Sequence, residues 1–148
     1  GQPAYVAELT ARARDLAVED RLEILPPVPP SEVLQAIRGA AFGLALFEPT
    51  CLSHRLVAPN KLFEYVAAGV PVLAADLPVM RAFVQEHGLG LTAAPQDVEA
   101  LAAAARRLLD TGVNHEVRAA ISAAAVQLTW AHQRGELERA YDRALAAA

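Results

Sequence analysis

The 148-residue chain has one cysteine, Cys51, which excludes an internal disulfide and any cysteine-built zinc cluster. His87, His115 and His132 are spread over expected helix ends and form no metal set, so neither a metal nor a cofactor is expected. Excess positive charge is also lacking. Thirteen Lys and Arg face seventeen Asp and Glu, a formal net charge of −4. Gripping a nucleic-acid backbone needs clustered cations, so no nucleic-acid partner is expected. The longest apolar run, residues 39–47, falls well short of the roughly 20 residues that cross a bilayer. No basic-then-apolar leader opens the sequence. A cytoplasmic location is therefore the default, with peripheral membrane association left open for a longer parent. The only methionine is Met80 and position 1 is glycine, so the chain is expected to be a piece of something longer.

Apolar residues make up 54% of the chain, much of it alanine. The core formers are therefore the Leu, Ile, Val and Phe residues, and the length suits one domain. Tyr5, Leu9 and Leu16 recur at helical spacing, predicting a helix over residues 3–18. Residues 21–25 form a short β-favouring run stopped by Pro26 and Pro27. Ser31 suits the N-cap of a helix carrying Val33, Leu34 and Ile37. Residues 41–47 read as a strand buried on both faces.

Further helices are predicted from Asn60 to Ala68, from about Pro78 to His87, and from an Asp97 cap to Leu109, the last ended by Thr111-Gly112. Two more follow, at about 115–128 and 131–146, the latter with Leu137, Tyr141 and Leu145 on one stripe. Strands are predicted at 70–74 and 88–92. Alternating strands and helices imply an α/β fold: a Rossmann-like parallel sheet flanked by helices.

The stretch from Ala58 to Asp76 reads APNKLFEYVAAGVPVLAAD. A helix starting near Asn60 after a parallel strand offers unpaired backbone N–H groups and the positive end of a helix dipole, a site suited to phosphate. Lys61 in its first turn adds a point charge for a pyrophosphate. Glu64, one turn on, is placed to meet a sugar joined to that phosphate, and a carboxylate can accept from both hydroxyls of a ribose. Taken alone, Glu64 is more simply explained as a favourable acid near a helix start, and Asn60 can be read as an N-cap.

This segment resembles the donor site of family-4 glycosyltransferases of the GT-B architecture, in the subgroup reading roughly P-N-K-L-F-E-Y-(apolar)-A-x-G-x-P-V. The resemblance implies that Glu64 binds the ribose of a nucleotide-sugar donor and that backbone amides near Asn60 and Lys61 hold its diphosphate. Residues 21–33 resemble the family's strand and loop beside the nucleobase, where Val28 is the position carried over. Residues 42–47 match the strand before the donor loop, and Trp130, Leu137 and Tyr141 the closing helix.

The expected function is thus the donor-binding part of a retaining glycosyltransferase that moves a sugar from a nucleotide diphosphate-sugar of UDP or GDP type, inactive on its own. The alternatives are a fragment of a nucleotide-sugar 2-epimerase, or a non-enzymatic degenerate half-domain for packing or regulation.

Several features depart from that pattern. The family's first glutamate would fall at Leu56, with Glu48 or Ser53 as the nearest substitutes, and Pro26 stands where glycine is frequent. Gly1 aligns near the glycine-rich turn after the family's second strand. Residues 1–148 are therefore expected to form one incomplete domain that lacks two strands and the acceptor-binding N-terminal domain. The strand at 41–47 would then show an unpaired edge, which predicts a rearranged sheet or an edge-to-edge dimer.

Overall fold

In the computed structural model, residues 3–128 and 130–146 are described; Gly1, expected near a glycine-rich turn, lies outside them. The chain divides into two compact units, Gly1–Pro30 and Ser31–Ala148. The first contains helix α1 (Pro3–Asp15), with Ala13 buried, and a single 3₁₀ turn, Glu19–Arg21. Residues 22–29 have no regular structure, so the strand expected at 21–25 is absent. A β-favouring run needs a neighbouring strand to take its main-chain hydrogen bonds, and no described strand pairs with this one.

The second unit begins within a 3₁₀ turn, Pro30–Glu32, where a helix capped by Ser31 was expected. It then alternates α2 (Val33–Ile37), β1 (Gly43–Ala45), α3 (Leu52–Arg55), α4 (Asn60–Ala68), β2 (Val72–Ala75), α5 (Pro78–Glu86) and β3 (Gly90–Ala93). Three helices complete it: α6 (Val98–Leu109), α7 (Thr111–Gln127) and α8 (Trp130–Ala146). The three strands form a parallel sheet in the order β1-β2-β3, with Val72 opposite both Gly43 and Gly90. The class is α/β and Rossmann-like.

Alternation along β2 divides the core. Val72 and Ala74 pack with Ala45 of β1, Leu62 and Val66 of α4, Met80 and Val84 of α5, and Ile121 of α7. Leu73 lies in the second cluster with Ala93 and Leu108, against Leu101 and Ala104 of α6. All four residues of β2 are buried, as a strand with neighbours on both sides and helices on both faces should be.

β1 departs from expectation. Only Gly43 to Ala45 are strand, and Leu44 and Leu46 remain 48% and 37% exposed. The run was expected to be buried on both faces. Among the described residues of this unit, α6 covers β2 and β3 on that face, and Leu44 stays uncovered.

The start of α7 also differs. Thr111 and Gly112 do not end α6. Asp110 caps the next helix, its carboxylate accepting from Val113 N at 3.1 Å, so α7 begins four residues early. The Asp97 cap is present, accepting from Ala100 N at 2.9 Å.

Candidate functional site

Since α4 lies in the crossover between the parallel strands β1 and β2 and leads directly into β2, its start lies at the carboxyl end of the sheet, where ligands collect in open α/β folds. Pro59 occupies the N-cap with extended backbone (φ −74°, ψ 149°) and offers no side-chain acceptor to the helix. Leu62 N already donates to Pro59 O at 3.0 Å. The N–H groups of Asn60 and Lys61 have no acceptor among the described residues. Asn60 is therefore the first helical residue and not the cap. The helix presents two open donors at its positive end.

The spacing fixes what shares each face of α4. Leu62 and Val66, four apart, are buried and seat the helix on the sheet. Asn60 and Lys61 are exposed, and Glu64 is half-buried. The Glu64 carboxylate makes no hydrogen bond or ion pair with any described residue. Because no described side-chain oxygen is both buried and unpaired, it must reach solvent. At the other end, Gly69 takes a left-handed conformation (φ +72°), and Val70 N returns to Tyr65 O at 2.8 Å, closing the helix before β2.

The loop between β1 and α4 is organised by His54. His54 Nδ1 lies 3.1 Å from Glu48 O and 2.9 Å from Thr50 Oγ1, and its ring meets Phe47 edge-on at 6.3 Å. A carbonyl can only accept, so the Glu48 contact places a proton on Nδ1 and leaves Nε2 free of these partners. Only the six-residue spacing of Glu48 and His54, the latter inside α3, hints at this knot. Glu48 and Ser53, the nearest substitutes for the missing acid, are exposed, as is Leu56.

Asn60, Lys61 and Glu64 thus come together on one helix, whereas Val28 is exposed in the irregular stretch of the first unit. Asp76 lies just beyond β2. Its carboxylate pairs with Arg81 of α5, which holds its pKa below the usual carboxylate value, with Thr92 adding to the effect. Among the described residues no three His, Cys, Asp or Glu side chains converge as metal ligands. No described helix is long and apolar enough to cross a membrane.

The family model described as glycosyl transferases group 1 matches residues 1–111. The D-inositol 3-phosphate glycosyltransferase of Acidothermus cellulolyticus is 32% identical over 82% of this chain and 26% of its own length. Its namesake from Nocardia farcinica is 31% identical over 97% of the chain and 30% of that protein, and the one from Jonesia denitrificans 29% identical over 100% and 34%. The chain therefore spans about a quarter to a third of the length of these relatives. No solved structure gives a significant match. With the family model covering most of its length, the chain belongs to the group 1 glycosyltransferases.

Proposed function

We propose that this chain forms the donor-binding part of a retaining glycosyltransferase that uses a nucleotide diphosphate-sugar of UDP or GDP type. The N–H groups of Asn60 and Lys61 hold the diphosphate with the α4 dipole behind them, and the Lys61 ammonium adds a charge. The Glu64 carboxylate accepts from the ribose hydroxyls. Catalysis in such a protein rests on positioning the donor and on stabilising the departing diphosphate by dipole and cation. Acceptor recognition and the remaining catalytic groups belong to the two-thirds or more of such a protein that these residues do not cover.

The observation that carries this reading is the uncapped start of α4 at the carboxyl end of the sheet, with a partnerless, solvent-reaching carboxylate one turn along. Helix starts in folded proteins are ordinarily satisfied by a side chain, water or a ligand. Titration calorimetry with UDP, GDP and ADP on the wild-type protein and on Glu64→Ala tests it. Binding of a uridine or guanosine diphosphate that is lost in Glu64→Ala supports the donor site. Binding that ignores the substitution, or no binding at all, overturns it.

A further inference from the structure

We propose a second ligand site, for a small oxyanion of the phosphate-monoester or carboxylate class, in the cleft around Arg118 on α7. This cleft of about 360 Å³ is open to solvent and lined by Ala41, Leu109, Thr111, Asn114, His115 and Arg118. Thr111, Asn114, His115 and Arg118 recur at three- and four-residue steps, so α7 turns one face to the cleft.

Arg118 supplies the chemistry. Its Nε donates to Asn114 Oδ1 at 2.7 Å, one terminal nitrogen to Gly69 O at 2.7 Å, and the other to Ala40 O at 2.6 Å. A guanidinium carries five N–H groups. Three are used, which leaves one on each terminal nitrogen, and a guanidinium can grip a carboxylate or phosphate with two N–H groups at once. All three acceptors are neutral, and no carboxylate pairs with Arg118 among the described residues. This half-buried charge therefore stands uncompensated on the wall of a cleft.

The neighbouring acids do not supply the missing charge. Asp110 is engaged in capping Val113 N, and Glu116 is exposed on the far side of α7 from Arg118. Asn114 is fully engaged, its amide donating to Ala41 O and Leu108 O at 2.8 Å each. The Thr111 hydroxyl and the His115 ring have no described partner and complete the donor set.

This site is separate from the donor cradle. Arg118 bonds to the residue that ends α4, whereas the cradle is at its start, about 13 Å away along a nine-residue helix.

The test is ¹⁵N–¹H NMR titration of the protein with sodium phosphate at constant ionic strength, with sodium chloride as the reference. The expected result is saturable shifts at Thr111, Asn114, His115 and Arg118 Nε under phosphate and none under chloride. Arg118→Lys removes the two-pronged grip but also three structural hydrogen bonds, so the deciding variant is Thr111→Val with His115→Ala. That variant should weaken phosphate about tenfold while leaving the thermal midpoint unchanged. Glu64→Ala should leave it unaffected, so failure here is distinguishable from failure of the donor site. Shifts that chloride reproduces, shifts that do not saturate, or affinity unchanged in the double variant would each overturn the proposal.

Discussion

The Tyr65 hydroxyl donates a 3.2 Å hydrogen bond to the main-chain carbonyl of Leu44, tying α4 to the outer edge of β1. Gly43 N donates to Pro71 O at 2.8 Å, so Gly43 faces β2 and the polar groups of Leu44 face outward. The Tyr65 ring lies where a side chain on Gly43 would be. An edge acceptor otherwise open to a foreign strand is thus occupied from within. Tyr65→Phe should cost about 1 kcal/mol in denaturant unfolding. By freeing the carbonyl it should also increase self-association by sedimentation, the edge pairing expected from the sequence. Equal stability and an unchanged sedimentation profile would contradict this role.

Gly43→Ala should cost about 1–3 kcal/mol, because its Cβ would overlap the Tyr65 ring, which must move out of its place beside β1. Tyr65→Ala opens the space, so the double variant should be more stable than the two single losses summed. Additive losses would show that the two residues do not share that space.

Burial, the largest cause, raises the pKa of Tyr65 above its ordinary value of 10.0. The neutral phenol is therefore favoured in the folded state. The associated stability is complete below the unfolded pKa and lost as pH rises through the folded one. Unfolding midpoints measured from neutral into strongly alkaline solution should fall more steeply in the wild type than in Tyr65→Phe. Asp76 behaves oppositely. Its pKa is lowered, chiefly by the hydrogen bond from Arg81, so its contribution is present above the unfolded value of 3.8 and lost as pH falls through the folded pKa. Asp76→Asn should flatten the acid limb of the same profile.

Glu64→Gln should leave unfolding stability within about 0.5 kcal/mol of wild type, since no described residue bonds to the carboxylate. On the proposed donor reading it should weaken nucleotide diphosphate binding by about 10- to 100-fold, the scale of one charge-assisted hydrogen bond. A large stability loss would instead make Glu64 a structural residue.

Gly90→Ala should be among the most damaging single changes, at least about 3 kcal/mol by thermal or denaturant unfolding. Its φ is +153°, and an added Cβ would strike the main-chain oxygen of Val72 in the central strand. A tolerated substitution would mean that β3 can move away from β2.

Local signals were legible where one short segment carries both cause and consequence. The run from Asn60 to Ala68, followed by a glycine free to take a left-handed turn, gave the bounds of α4, and Asp97 marked its own cap. Asp110 escaped notice because Thr111-Gly112 is also a terminator pattern, and only the Val113 N–H chooses between them. The strand at 21–25 and the double-faced burial of 41–47 failed for another reason. Both depend on neighbours in space that a segment's own residues do not specify. The site divides likewise: Asn60, Lys61 and Glu64 could be read from helix spacing. The His54 knot and the reach of Arg118 to Ala40 and Gly69 join residues 6, 78 and 49 positions apart.

The seat of α4 is built largely from small residues: Gly43 lies under the Tyr65 ring, and Ala45 and Ala74, with Val72, share a core with Leu62 and Val66. Such a low bench leaves the helix no clearance to rock, so the direction in which its amino end points is set from underneath. Enlarging any of these residues would lift the helix like a shim. The aim of its free N–H groups would then change in a protein that still folds and whose ligand-facing residues are all intact.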